Sequence, residues 1–123
     1  MDRVVHFEIS AAEPEALVGF YENVFGWKVN KWDGPEDYWL ASTGEEGPPG
    51  IDGAFMRPAD GTPRTVVTVE VEDLDSTVAK AKENGGRVAM EKMAVPMIGW
   101  AAYLVDPQGT VVGLMQPDEK AGM

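Results

Sequence analysis

Val4-Val5-His6-Phe7-Glu8-Ile9-Ser10 decides how the chain is read. Side chains alternate along an extended backbone, so Val5, Phe7 and Ile9 share one side, and His6, Glu8 and Ser10 share the other. Such a strand packs its apolar side on a core and keeps its polar side for water or a ligand. Glu13-Pro14 then opens a helix, with Pro in the first turn, where its missing N–H leaves no bond unmade. Leu17, Phe20, Tyr21 and Val24 recur at helical spacing until Gly26 stops the run, which predicts one amphipathic helix covering the apolar side of the strand.

Working outward, three more strands are expected over 27–32, 38–43 and 52–57. Asp33-Gly34-Pro35 and the Gly/Pro-rich run 44–50 separate them, and Asp60-Gly61-Thr62-Pro63 marks a break. From 65 to 71 the alternation returns, with Val67, Val69 and Val71 opposite Val66, Thr68 and Glu70. Asp73 or Asp75 caps a second helix with Leu74, Val78 and Ala81 on its apolar stripe, and Gly85-Gly86 ends it. Strands over 87–92, 100–105 and 110–116 follow, the last two joined by a turn at Asp106-Pro107-Gln108-Gly109. The order of elements therefore repeats. Phe7-Glu8-Ile9 resembles Val69-Glu70-Val71, and the Glu22-Asn23 helix end resembles Glu83-Asn84. The expected fold is α+β: two βαβββ modules, about 3–59 and 64–117, in one domain spanning 1–123. Curved mixed sheets enclose a cleft, and the helices lie on the outer faces.

Composition narrows the function. At 123 residues with 44% apolar content, the chain has material for one core. It has no Cys, which excludes disulfides, thiolate metal sites and a catalytic thiol. A net charge of −11, with Lys and Arg scattered, opposes nucleic acid and suits solubility or a cationic ligand. The N-terminus lacks the apolar run of a signal peptide and no stretch reaches membrane-spanning length, so a cytoplasmic location without membrane association is expected.

The chain resembles the vicinal oxygen chelate superfamily, which includes glyoxalase I, bleomycin-resistance proteins and extradiol dioxygenases. The resemblance runs from Val4 to about Pro117. It is carried by Val5-His6-Phe7-Glu8-Ile9, by Phe20-Tyr21-Glu22-Asn23-Val24-Phe25-Gly26-Trp27, by Val71-Glu72-Asp73-Leu74-Asp75 and by Asp106-Pro107-Gln108-Gly109 leading into Val111-Val112-Gly113-Leu114. In metal-using members it implies ligands near the start of each first strand and late in each closing strand. His6 meets the first such position. The corresponding place in the second half is Val66, or Thr68 if the alignment slides by one residue pair. The closing-strand positions hold Gly113 and the Gly53-Ala54-Phe55 neighbourhood. A catalytic divalent ion needs about three protein ligands and an open position. The set is short, so metal-free binding is favoured, and His6, Glu8 and Glu70 remain as an irregular alternative.

As the only histidine, His6 is suited to act as a general base or as a hydrogen-bonding contact, or to serve structure alone with Glu8 as partner. Trp32, Trp39, Trp100, Tyr103, Phe55, Met56, Met97 and Met115 are many flat or pliable apolar groups for so small a chain, suited to a pocket wall, ordinary core or a dimer interface. Strand parity puts Met115 on one face with Gly113 and Val111, the face that the resemblance implies points inward, and Trp39 and Trp100 are the next candidates. The expected ligand-binding set is thus His6, Glu8, Trp39, Thr68, Trp100 and Met115. The run 93–99 reads as a loop over the cleft, serving as a lid, as a loop at a subunit contact, or as a buried crossover. Three functions remain open: a metal-independent binder of a small, partly aromatic molecule; a metal-dependent lyase or dioxygenase of the glyoxalase kind; and an interaction domain with a vestigial cleft. The resemblance also implies a homodimer.

Overall fold

The computed structural model describes residues 2–58 and 62–123, so the first half of the break expected at 60–63 lies outside the described residues. Eight strands and two helices follow in the order β1 (Arg3–Ser10), α1 (Pro14–Phe25), β2 (Lys28–Lys31), β3 (Tyr38–Ser42), β4 (Asp52–Met56), β5 (Arg64–Glu70), α2 (Leu74–Glu83), β6 (Arg87–Val95), β7 (Gly99–Val105) and β8 (Val111–Pro117). This is an α+β fold of two βαβββ modules. Contacts group residues 6–66 into one compact unit, and residues 67–123 with the start of the chain up to Val5 into another.

In the first module the strand order is β2-β3-β4-β1. β1 runs parallel to β4, and β2-β3 and β3-β4 are antiparallel, so the sheet is mixed. Phe7, Gly53, Phe55, Trp39 and Ala41 share one face by register, and α1 lies on it. Tyr21 of α1 stands 5.1 Å from the fully buried Phe55 ring and stacks on Trp27 at 4.9 Å. A Cβ at Gly53 would collide with the Phe7 ring, so this position needs a residue without a side chain. Helix α1 ends at Gly26, whose φ of 75° is the left-handed conformation that stops a helix.

The second module repeats the arrangement as β5-β8-β7-β6, with β5 parallel to β8 and the other pairs antiparallel. Asp73 is the cap of α2, accepting a hydrogen bond from the Ser76 N–H at 3.1 Å. Leu74 is completely buried among Val71, Ala102, Leu104 and Leu114, with Val78 and Ala81 packed beside them. Each such large apolar side chain contributes roughly 1.5–3 kcal/mol when buried.

Four expectations need correction. On α1 the inward stripe is the buried Pro14 with the half-buried Leu17, Val18 and Tyr21, whereas Phe20 and Val24 are 55% and 56% exposed, because the helix is rotated to lay Tyr21 on Phe55. The run 93–99 is neither lid nor crossover: β6 continues to Val95, and a four-residue turn, closed by the Ile98 N–H on the Val95 carbonyl at 3.0 Å, leads straight into β7. Its second central residue, Met97, has φ 65°. The third concerns how the halves align. The Ala11 N–H bonds the Met56 carbonyl where β1 ends, and the Val71 N–H bonds the Met115 carbonyl where β5 ends. These equivalent bonds match Ser10 with Glu70, Glu8 with Thr68 and His6 with Val66, so the likeness of Phe7-Glu8-Ile9 to Val69-Glu70-Val71 is two residues out of structural register. The fourth, the placement of the tryptophans, belongs to the site.

Candidate functional site

Parity along β1 sends His6, Glu8 and Ser10 to the sheet face away from α1. Register adds Asp52 beside His6, Ala54 beside Glu8 and Met56 beside Ser10, and then Tyr38 beside Met56 and Leu40 beside Ala54. Three of these side chains form a hydrogen-bonded chain. The Tyr38 hydroxyl donates to Glu8 Oε2 at 2.7 Å, and its oxygen stands 2.9 Å from His6 Nε2. Glu8 is only 8% exposed, and a carboxylate that far from water costs several kcal/mol unless donors reach it. Tyr38 supplies one, through a charge-assisted bond roughly twice as strong as a neutral one. Among the described residues, no buried side-chain nitrogen or oxygen is left without a partner.

His6 is half-buried. Burial holds its imidazole below the ordinary value of 6.5, against the Glu8 and Asp52 carboxylates, which pull it upward. The ring is therefore neutral at neutral pH. Tyr38 also meets the edge of Trp32, with ring centroids 6.0 Å apart, and Gly34 lacks the Cβ that would collide with that indole.

The second module presents a different face. Thr68, Glu70, Gly113, Met115, Ala101 and Tyr103 share it by register, away from α2. Thr68 is buried, Glu70 is exposed and Met115 is half-buried. A Cβ at Gly113 would lie 3.0 Å from the Thr68 hydroxyl and 3.3 Å from the Tyr103 ring.

The expected residues thus divide. His6 and Glu8 are brought together on one face of the first module, and Thr68, Glu70 and Met115 lie on the corresponding face of the second. Trp39 and Trp100 are placed otherwise, each on the helix-bearing side of its sheet. Trp39 sits between the cations of Lys31 at 5.5 Å and Arg57 at 5.6 Å, and Arg57 in turn grips Glu15 of α1 at 2.9 Å. Trp100 packs at the edge of the α2 core, with the Lys92 ammonium 4.8 Å from its ring and its N–H donated to Asp118 at 3.0 Å. Phe55 is likewise core. Sequence reasoning missed Tyr38. Its position at the start of a strand gave no sign that register would carry it to β1.

Of the metal-ligand positions implied by the resemblance, only that of His6 carries a usual ligand. His6 and Glu8 converge on one phenol rather than on a common empty point, and the closing-strand positions are Ala54 and Gly113. Among the described residues, no three His, Asp or Glu side chains stand close enough to hold an ion.

A duplicated βαβββ module, each with one helix-covered face and one face that holds its polar strand residues, defines a paired-module class of small α+β proteins. Within it the chain belongs to the Glyoxalase/Bleomycin resistance protein/Dioxygenase superfamily, whose model matches residues 3–114. Relatives in Mycobacterium bovis and Mycobacterium tuberculosis, both called CFP32 and provisionally named a glyoxylase, are 30% identical over 113 residues. That match takes in 89% of this chain but 42% of theirs, so the chain spans about two-fifths of the curated relatives it matches. Among solved structures, a methylmalonyl-CoA epimerase in complex with methylmalonyl-CoA and NH4+ superposes with a TM-score of 0.73 at 17% identity, covering 100% of this chain and 99% of that one. The Mycobacterium tuberculosis epimerase gives 0.70 at 16%, covering 94% and 87%. A hypothetical protein from Bacillus halodurans gives 0.73 at 15%, covering 99% of each. At these identities the likeness is one of fold.

Proposed function

We propose that the chain binds a small, partly aromatic organic molecule without a catalytic metal, using the helix-free face of its first module. The observation that carries this reading is that His6 Nε2 and Glu8 Oε2 meet at the Tyr38 hydroxyl, a polar cluster suited to hydrogen bonding an organic ligand, while among the described residues no three His, Asp or Glu side chains stand close enough to hold an ion. Trp32 and Tyr38 supply aromatic surface beside them, and Met56 and Leu40 supply apolar surface by register. Thr68 and Met115 are the contact candidates of the second module. The solved relatives include epimerases of a CoA thioester, but a chain of net charge −11 repels a polyanionic CoA ester, so a neutral or cationic ligand is favoured.

A second copy of the chain is proposed as its partner. Phe20, Val24 and Phe25 are all more than half exposed on one stretch of α1. Curated relatives more than twice as long also fit a unit that works beside another.

The test is binding by calorimetry against a panel of aromatic amines, alcohols and acids, with metal content measured on untagged protein purified without chelator. Saturable binding that His6→Ala abolishes while the melting temperature holds supports the proposal. Stoichiometric metal lost in His6→Ala would replace it with a metal-dependent lyase or dioxygenase. Sedimentation at increasing concentration tests the pair, and a monomer throughout rejects it.

A further inference from the structure

We infer that Tyr38 locks His6 in its Nε2–H tautomer, so that the first module offers a lone pair at Nδ1 to a ligand that donates a hydrogen bond, a hydroxyl or an ammonium, and not to an anion. The inference rests on the binding reading above and names the ligand class for that site. It follows from the direction of the hydrogen-bond chain. An ionised carboxylate can only accept, so the Tyr38 hydroxyl must spend its single hydrogen on Glu8 at 2.7 Å. The phenol oxygen then has only lone pairs to offer His6, and a 2.9 Å contact between that oxygen and Nε2 is a hydrogen bond only if Nε2 carries the proton.

A neutral imidazole has one N–H, so Nδ1 is left as an acceptor. Among the described residues no fully buried side-chain nitrogen lacks a partner, and the only bond seen for His6 is at Nε2, so Nδ1 is not sealed from solvent. The charged groups around it favour the same class. Glu8 on β1 and Asp52 on β4 both act on the imidazole as negative charges, and Tyr38 on β3 turns its oxygen toward it. A donor or cation arriving at Nδ1 meets a lone pair in a field of two carboxylates. An anion meets lone pair against lone pair and the repulsion of both.

The chain has a single histidine, which makes the experiment clean. The untagged 123-residue chain is labelled at the imidazole nitrogens and its long-range proton–nitrogen correlations are recorded well above the imidazole titration range. The expected spectrum has a protonated Nε2 and an unprotonated Nδ1, and in Tyr38→Phe the two nitrogens move toward the averaged values of mixed tautomers. Glu8→Gln, which removes the acceptor-only partner, shifts them the same way and serves if Tyr38→Phe fails to fold. An Nδ1–H tautomer in the wild type, or unchanged spectra in both folded variants, overturns the lock. Benzylamine, benzyl alcohol and benzoate are then titrated in. The amine and the alcohol are expected to move the Nδ1 resonance and benzoate to leave it in place. Movement by benzoate alone, or by none of the three, overturns the ligand class. A wrong tautomer thus sinks this inference alone, whereas a correct tautomer with silence to every ligand counts against the binding reading beneath it.

Discussion

The two modules share strand order, helix placement and parallel closing pair, yet their helix-free faces differ in chemistry at the positions that match. By the matching of bonds at the ends of β1 and β5, His6, Glu8 and Tyr38 in the first module correspond to Val66, Thr68 and Ala101 in the second. An imidazole, a carboxylate and a phenol are replaced by an isopropyl, a hydroxyl and a methyl. Where Ala54 sits in the first module, the second has Gly113, with Thr68 and Tyr103 closing the space above it. Duplication preserved the packing rules and freed the opposite faces, because the apolar alternation that holds a helix on a sheet constrains only every second residue. Function in the proposed sense is concentrated in one half.

The sharpest break of the comparison is in the cores. Phe55→Ala removes the fully buried ring under α1 and is expected to cost roughly 3–5 kcal/mol, against roughly 2–5 kcal/mol for Leu74→Ala under α2. Chemical denaturation measures both, and a loss at Phe55 below about 1 kcal/mol would mean that the first module has no core of the kind described. Gly53→Ala drives a methyl group into the Phe7 ring and should cost roughly 1–3 kcal/mol by the same measurement. Ala at Gly19, where a Cβ meets nothing, is the control expected to be neutral or stabilising. Tyr38→Phe takes a donor from the buried Glu8, with an expected loss of roughly 1–3 kcal/mol in the same measurement.

The fourth prediction concerns pH. Burial holds His6 below 6.5, so as the pH falls the unfolded chain takes up the proton first. Stability therefore declines between 6.5 and the lower folded value, and above 6.5 this group adds no pH dependence. Melting temperature against pH should flatten over that interval in His6→Gln. A variant profile parallel to the wild type there would show that the imidazole is not desolvated as described. The smallest effect is expected at Met97, a β-carbon-bearing residue at φ 65° in a turn that glycine suits. Met97→Gly should raise stability by about 0.5 kcal/mol, and a fall in melting temperature would show that the exposed Met side chain holds the turn.

Much of this was legible in residue order. The alternation at 4–10 and 65–71, the helix stops at Gly26 and Gly85, and the Asp106–Gly109 turn are local signals, and each appears where expected. Met115 was placed on its face by parity alone. The site was less legible. Tyr38, which joins the two polar residues of β1, comes from a strand 30 residues away and reaches Glu8 only because β4 lies between β3 and β1 in the sheet. Trp39 and Trp100 attracted notice by chemistry, but parity relative to the helix, and the cations of Lys31, Arg57 and Lys92, hold them on the covered side.

By itself the sequence determined the elements, their duplication, the family and the polar stripe of β1, because these rest on periodicity and on turn residues that act within a few positions of themselves. Only the tertiary structure decided which residues meet across strands, which half corresponds to which residue of the other, and which nitrogen of His6 is presented. Those depend on sheet order and register, where a shift of one residue turns every side chain to the opposite face.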